Sequence, residues 1–241
     1  MTTLIRAELL QFRSLRSTYA VGLLAVLVVV GITWGDLTEA EHLTTAMQKL
    51  TPVLTGGGIA MAFVGALLAA ARVAGEYRYG TIANRALATP RRVRLVVAKL
   101  ATYSLVGLAA SVAAAGIGLA TAALVFAGKD LTLTLGAADV IDVALRVVVV
   151  GTLFAAMGVA IGFITRSQQA AAIVVFGDFF AEKLLGAAVG DVAGYLPFGL
   201  LNRLLDPSAG HALATGLGLL ATTIGLAAGA AVLMNRRDIQ A

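Results

Sequence analysis

Cysteine is absent from the 241-residue chain, and proline, histidine and charged residues are scarce. Without cysteine the chain has neither a disulfide nor a thiolate metal ligand. Its two histidines, His42 and His211, are far apart in the sequence, which argues against a histidine-based metal site. Four prolines leave long stretches in which a helix can run uninterrupted. Charged residues make up 13% of the chain, whereas a soluble domain carries about 25%.

Apolar residues, by contrast, make up 59% of the chain and occur in long runs. A helix that crosses a membrane needs about 20 mostly apolar residues, and no polar block between the runs is large enough to form a soluble core. The sequence therefore predicts one all-α integral membrane domain over residues 1–241. We expect six transmembrane helices, near 18–34, 53–74, 100–127, 144–164, 168–190 and 212–234.

The fifth predicted span, 168–190, is interrupted by Asp178, Glu182 and Lys183. One interpretation is a continuous helix with charges at depth, in which the two acidic residues share a face. They would then line a translocation pathway or pair with Lys183. The alternative is a span that ends early, followed by a re-entrant piece or by charges exposed outside the membrane.

Lysine and arginine are distributed unevenly between the two sides of the predicted bundle. With both termini in the cytoplasm, 13 of these residues lie on the cytoplasmic side and 5 on the outer side. The positive-inside rule therefore predicts this orientation, in the cell's inner (cytoplasmic) membrane. The net charge of +5 is explained as an orientation signal, and we expect no nucleic-acid partner.

Residues 1–16 form a basic, amphipathic start to the chain. Ile5, Leu9 and Phe12 recur at helical spacing, while Glu8, Gln11 and the arginines fall on the other side. This pattern predicts a helix that lies in the membrane interface among lipid headgroups. The alternative is a basic flank that only orients the first span.

The connection between the second and third spans has clear helix stop and start signals. Gly80 is expected to break the helix that leaves the membrane. Thr81 can then cap a short helix over residues 82–88, which Pro90 stops. Such a helix would be a rigid cytoplasmic knob. From the residues alone, a plain cationic loop is an equally good interpretation.

This connection resembles the first cytoplasmic loop of ATP-binding-cassette (ABC) exporter permeases of the type-2 class. In that family the loop has Glu, then Gly-Thr and an apolar residue, a Leu, Ser/Thr-Pro with basic residues, and a Lys entering the next helix. The matching residues are Glu76, Gly80-Thr81-Ile82, Leu87, Thr89-Pro90, Arg91-Arg92 and Lys99.

The resemblance implies a transport subunit that is not itself an enzyme. Two permease copies, identical or related, would form the pathway, and separate ATPase subunits would bind ATP and magnesium. The short loop helix would be the coupling helix, seated on the ATPase. Its residues would be Glu76, Gly80, Thr81, Ile82, Arg85, Leu87, Pro90 and Arg91.

The pathway lining is expected to be apolar and small, which suits a drug, an antibiotic, a peptide or a lipid equally well. We therefore expect the export of a hydrophobic compound from the cell. The chain lacks the Gly-x-x-x-x-Gly-Lys-Ser/Thr phosphate-binding motif. We therefore expect no cofactor on this chain and ATP hydrolysis on a partner. The second hypothesis is an ion-gradient-driven transporter or channel, with Asp178 and Glu182 as its intramembrane relay.

Three pairs of glycines lie four residues apart, so that each pair shares one helix face. Small residues at this spacing allow helices to approach closely in a membrane. We expect them to serve packing within the chain rather than a dimer interface. The pairs are Gly31 with Gly35, Gly158 with Gly162, and Gly225 with Gly229.

Overall fold

A computed structural model of the chain describes residues 2–14, 16–39, 46–82, 85, 92–128, 137–206 and 210–236. This part of the chain is all helical and has no strand. It includes a 3₁₀ helix, Gly190–Tyr195. The α-helices are α1 (Thr2–Ser14), α2 (Arg16–Glu39), α3 (Ala46–Arg78), α4 (Arg92–Gly128), α5 (Ala137–Thr165), α6 (Gln168–Val189), α7 (Pro197–Leu205) and α8 (Ala212–Arg236).

Four of the helices are long and apolar enough to cross a membrane. The qualifying stretches are Leu54–Arg78 in α3, Arg92–Leu124 in α4, Ala137–Thr165 in α5 and Ala212–Arg236 in α8. They coincide with the second, third, fourth and sixth predicted spans. Helix α2 contains a shorter apolar stretch, Gly22–Gly35. This set of helices is typical of an integral membrane protein.

The fifth predicted span is one continuous helix, α6. It runs unbroken from Gln168 to Val189 and includes Asp178 and Glu182, so the charged residues do not break it. Both acidic side chains are half-buried on adjacent turns. The irregular piece begins later, with the 3₁₀ helix that leads into α7.

The centre of the bundle is the contact between α3 and α5, the most extensive helix pair in the described part of the chain. Its facing residues are small, since Ala62, Ala66 and Ala70 of α3 are fully or almost fully buried. A Cβ atom added to Gly158 would lie 2.8 Å from the Ala66 Cα, and one added to Gly162 would lie 2.7 Å from the Ala70 carbonyl oxygen. The two helices are therefore as close as glycine allows.

The other two glycine pairs do not sit in such contacts. Among the described residues, a Cβ added at Gly31, Gly35, Gly225 or Gly229 would meet no heavy atom within 4 Å beyond the nearby backbone of its own helix. The prediction of close packing within the chain is thus confirmed for Gly158 and Gly162 alone. The three pairs have the same spacing in the sequence, but Gly158 and Gly162 face a neighbouring helix closely and the other four glycines do not.

A second buried cluster lies where the C-terminal ends of α3 and α8 meet the N-terminal part of α4. Leu95, Val96 and Tyr103 of α4 pack there with Val73 of α3 and Met234 of α8. This end of the bundle also carries the charged residues described next, and we call it the cluster end.

Candidate functional site

Charged side chains from distant parts of the sequence meet at the cluster end. We call Glu8, Glu76, Arg85 and Lys99 the ion cluster. Lys99, in the second turn of α4, is completely buried. Its Nζ donates to Glu76 Oε1 at 2.6 Å and to Glu8 Oε2 at 2.9 Å. One lysine thus joins α1, α3 and α4.

Arg85 closes the ion cluster from the segment that follows α3. Its Nη1 lies 3.2 Å from Glu76 Oε1 and also bonds Glu8 Oε1, while its Nη2 donates to Gln11 Oε1. Glu8 and Glu76 are more than nine-tenths buried. Two carboxylates and two cations balance each other, so the ion cluster is formally neutral.

Burial makes these ion pairs strict structural constraints. A buried charge is costly unless it is paired and hydrogen-bonded, and removal of one partner of a buried pair costs about 3–5 kcal/mol. Helix α1 and the segment at Arg85 are therefore held in a defined position against α3 and α4. Any displacement of this segment would have to move its ion partners or break the pairs.

Helix α1 is amphipathic, as predicted, but its polar side is not simply exposed. Glu8 points into the bundle and bonds Lys99, while Leu10 on the other side is 63% exposed. On the apolar side, Phe12 packs edge-on against Tyr103 of α4, with ring centroids 6.0 Å apart. The helix is fixed by protein contacts along both polar and apolar residues.

The predicted helix break after α3 is present. Gly80 has a φ angle of +67°, which favours glycine, at the turn that ends α3. Thr81 Oγ1 donates a hydrogen bond back to the Glu76 carbonyl at 3.4 Å, and Thr81, Ile82 and Arg85 are helical. Ile82 is 1% exposed and packs inside the second cluster, so that its side chain is not available to a partner protein.

The rest of the predicted loop helix lies outside the described residues, apart from Arg85. This holds for the candidate coupling residues Leu87, Pro90 and Arg91. The described residues on either side, Thr81–Ile82 and Arg92 onward, place both ends of the loop at the cluster end.

Contacts from the remaining helices also converge on the end of α3. Tyr77 donates its hydroxyl to Met234 Sδ of α8 at 3.3 Å. Arg92, the first residue of α4, reaches the Met234 carbonyl at 3.4 Å. Gln168, the first residue of α6, donates to the Ala71 carbonyl of α3 at 3.0 Å. A displacement of the end of α3 would therefore also disturb its contacts with α1, α4, α6 and α8.

Asp178 of α6 contacts the N-terminal end of the short helix α7. Its carboxylate accepts a hydrogen bond from the backbone N–H of Phe198, where the N-cap residue Leu196 provides no side-chain cap. At the other end of α7, Arg146 Nη1 donates to the Leu204 carbonyl at 3.1 Å. An anion at the N-terminus and a cation at the C-terminus complement the helix dipole.

This capping contact leads to a prediction for Asp178. We expect Asp178→Ala to lower the free energy of unfolding by about 0.5–2 kcal/mol, the usual cost of losing a helix cap. Asp178→Asn keeps an oxygen acceptor for Phe198 N–H and should retain most of that stability. Thermal unfolding of the purified protein in detergent measures both. Equal stability of the alanine variant and the parent would contradict the capping role.

Glu182 lies one turn beyond Asp178 and is less well satisfied. Its Oε2 is buried and has no hydrogen-bond partner among the described residues. The predicted pairing with Lys183 falls on a side chain outside the described set. The two acidic residues therefore differ: Asp178 caps α7, and Glu182 has an oxygen that no described residue bonds.

An apolar pocket of about 250 Å³ lies close by, between α3, α6 and α7. Phe63, Phe176, Phe179 and Phe198 line it. They form two edge-to-face pairs, Phe63 with Phe176 and Phe179 with Phe198, each with ring centroids 4.8 Å apart. Its lining is almost entirely apolar, which suits a hydrophobic ligand. Among the described residues no group of three or more histidine, aspartate or glutamate side chains is placed to hold a metal ion.

Glu8 and Lys99 were not identified as interacting residues from the sequence. Lys99 was noted only as the basic residue that enters the third span, and Glu8 as one member of a polar face. An acidic residue on an otherwise basic helix, together with a lysine inside an apolar run, was the available signal.

The sequence was also compared with known proteins. No protein-family model matches this chain, and the comparison with curated proteins gives no match.

Proposed function

We propose that this chain is the membrane-spanning permease subunit of an ATP-driven ABC exporter of the type-2 class. It would move a hydrophobic compound out of the cell, driven by separate ATPase subunits that bind ATP and magnesium. The observation that carries the proposal is the ion cluster, because it ties the loop with the family-like spacing to three helices of the bundle. A loop that receives force from a partner needs such rigid connections.

The proposed topology has six spans, both termini in the cytoplasm and a position in the inner membrane. Helices α2 and α6 would be the first and fifth spans, and α1 would lie in the interface. Two observations support an even number of spans. The ion cluster brings α1 to the start of α4, and Arg92 brings the end of α8 to the same place.

Single cysteines test this topology without background, because the chain has none. We expect Ala83→Cys to resist an impermeant thiol reagent in intact cells and Thr45→Cys to react with it. After cell lysis both should react. The reverse pattern in intact cells would refute the cytoplasmic placement of the loop between α3 and α4.

In the proposed mechanism, an ATPase docks on the loop and displaces it when ATP binds. The apolar contact would come from Leu87, since Ile82 is buried inside the bundle. Arg85 would pass the movement to Glu8 and Glu76, and Lys99 would pass it to α4. The aromatic pocket between α3 and α6 would then change shape around the cargo.

Two loop variants separate docking from coupling. Burial of one aliphatic side chain contributes roughly 1.5–3 kcal/mol, so Leu87→Asp should weaken association with the ATPase about ten- to a hundredfold. Arg85→Ala removes the contacts of the loop with Glu8, Gln11 and Glu76 but leaves both bonds of Lys99 in place. We expect it to assemble and hydrolyse ATP while transport falls.

The measurements are co-purification of the chain with its ATPase, ATP hydrolysis and efflux of a hydrophobic dye from proteoliposomes, all on the same preparations. Arg91→Ala serves as the matched control, because a charge at the rim of an interface changes association much less. If Leu87→Asp and Arg85→Ala bind, hydrolyse and transport like the parent, the loop is only a connector and the ABC proposal loses its main support.

An ion-gradient-driven transporter or channel is the second candidate. The observation that favours it is the pair of acidic residues on adjacent turns of α6, one with a buried oxygen that lacks a partner among the described residues. Reconstituted protein without any ATPase would then transport under a proton or sodium gradient. Asp178→Asn should abolish that transport while unfolding stability is retained. If transport by the vesicles does not respond to an imposed proton or sodium gradient, this candidate is ruled out.

A further inference from the structure

Each of the four membrane-length helices has an arginine where it ends at the cluster end. The apolar stretches of α3 and α8 end at Arg78 and Arg236, and that of α4 begins at Arg92. Arg166 directly follows Thr165, the last residue of α5. We call these four arginines the arginine patch. Because the apolar stretches end here, the arginine patch lies at the level of the lipid head groups.

Contacts between the helices hold the arginine patch together. Tyr77 of α3 bonds Met234 of α8. The Arg166 guanidinium lies 5.1 Å from the centroid of the Tyr77 ring, and Arg92 donates to the Met234 carbonyl. The other two arginines lie one residue after Tyr77 and two residues after Met234. The patch is therefore built around one contact between α3 and α8.

Positive charge is exposed at this end of the bundle. Arg78 and Arg236 are exposed, and neither forms an ion pair with a carboxylate of the described residues. The two carboxylates that the described part of the chain places here, Glu8 and Glu76, are buried and balanced inside the ion cluster. A guanidinium group matches the geometry of a phosphate, so the patch suits a phosphate-bearing ligand.

An apolar row descends from the arginine patch along α8. Residues four apart form a ridge on a helix surface, and each residue of this ridge is exposed: Ile224, Ala228, Val232 and Arg236. The row is about 18 Å long at about 1.5 Å per residue, which exceeds half of a hydrocarbon core of about 30 Å. Beside it, a Cβ at Gly225 or Gly229 would meet no described heavy atom within 4 Å beyond its own helix. The row and the glycines leave an open apolar track one leaflet deep.

We propose that the arginine patch and the exposed face of α8 bind an anionic phospholipid. Its phosphate accepts hydrogen bonds from the guanidinium groups, and one acyl chain lies along the row beside Gly225 and Gly229. An acidic protein surface would match the charge, but it would not reach the apolar row that enters the hydrocarbon core. The proposal requires that the chain lies in a membrane, and it does not depend on what the chain transports.

Lipid binding to the purified chain tests the head group. The chain is kept in a neutral detergent, and native mass spectrometry measures its affinity for phosphatidylglycerol and for phosphatidylcholine with the same acyl chains. We expect phosphatidylglycerol to bind at least roughly tenfold more tightly, because basic residues between helices favour anionic lipids. Arg78→Gln with Arg236→Gln should weaken phosphatidylglycerol about 25-fold, at about 1 kcal/mol for each arginine.

Arg94→Gln is the matched control. Arg94 is also exposed and also lies in the first turn of α4. It comes two residues after Arg92, so it projects from the opposite side of the helix. We expect this variant to change phosphatidylglycerol affinity less than about twofold. An equal loss in Arg94→Gln and in the double variant would overturn the proposal, because it would show a general attraction of charge.

A second measurement locates the acyl chain. Phosphatidylglycerol with a photoactivatable diazirine in one acyl chain is added to the chain in phosphatidylcholine nanodiscs, and the cross-links are mapped by mass spectrometry. We expect them to concentrate on residues 224–232 of α8, and a phosphatidylcholine probe should give at least roughly tenfold fewer there. Cross-links spread evenly over α3, α4, α5 and α8 would overturn the assignment of the track.

Two further results distinguish the source of the phosphate and the class of partner. A large excess of inorganic phosphate should leave phosphatidylglycerol bound, and complete displacement would mean that the site takes free phosphate. Unchanged phosphatidylglycerol affinity in the double variant would overturn the proposal and leave the arginine patch to an acidic protein surface. If the double variant does not fold, the comparison of the two lipids and the cross-links on the parent chain decide.

Discussion

Gly158→Ala is expected to disrupt the bundle more than any other single-methyl addition considered for this chain. The new Cβ would lie 2.8 Å from the Ala66 Cα and would also meet the carbonyl group of Ala66. A backbone cannot rotate away as a side chain can, so α3 and α5 would have to separate along their central contact. We expect a loss of at least about 3 kcal/mol, the upper end of the usual cost of overpacking.

Gly229→Ala is the matched control, because it adds the same methyl group to a helix of the same bundle. No side chain or other helix in the described part of the chain lies within 4 Å of the added Cβ, and alanine is favoured over glycine inside a helix by about 0.5–1 kcal/mol. This variant should be as stable as the parent or slightly more stable. Thermal unfolding in detergent measures both, and equal effects at the two positions would contradict the close contact of α3 and α5.

Lys99→Met should have the second large effect. Methionine is apolar and similar in length, so the change removes the charge with little change in volume. Glu8 and Glu76 would then be left buried and close to each other, and Arg85 would be the one remaining cation of the ion cluster. Loss of one partner from a buried ion pair costs about 3–5 kcal/mol, and we expect a loss of that size.

A double-mutant cycle identifies the origin of this loss. Adding Glu8→Gln to Lys99→Met removes the excess carboxylate, so the double variant should be more stable than Lys99→Met alone. The interaction energy from the cycle should then exceed about 1 kcal/mol, within the range for residues in one buried network. Strict additivity of the two changes would mean that Glu8 and Lys99 do not interact, and the ion cluster would be wrong.

Local sequence patterns predict the helices of this chain well. The long apolar runs place α3, α4, α5 and α8, and Gly80 marks the end of α3, because both signals depend on neighbouring residues. The continuity of α6 could not be predicted in the same way. Three charged residues lower its apolar character, and only the contacts with α7 explain why Asp178 is tolerated there.

The candidate site was less predictable, because its partners are distant in the sequence. Glu8 lies 91 residues from Lys99 and 77 residues from Arg85, and no periodic pattern links them. The environments of the glycine pairs also depend on residues that are distant in the sequence. Gly158 with Gly162 and Gly225 with Gly229 have equal spacing, and only the position of the neighbouring helix distinguishes them.

The ion cluster also sets an order of events during synthesis of the chain. Glu8 emerges first, but Lys99 is added 91 residues later, a delay of roughly 5–20 s at about 5–20 residues per second. Before Lys99 is added, Arg85 is the cation of the ion cluster that Glu8 can bind, and α2 and α3 are made without the Lys99 contact. The N-terminal helix therefore reaches its final place only after α2, α3 and the start of α4 have been made, although it is the first to be made.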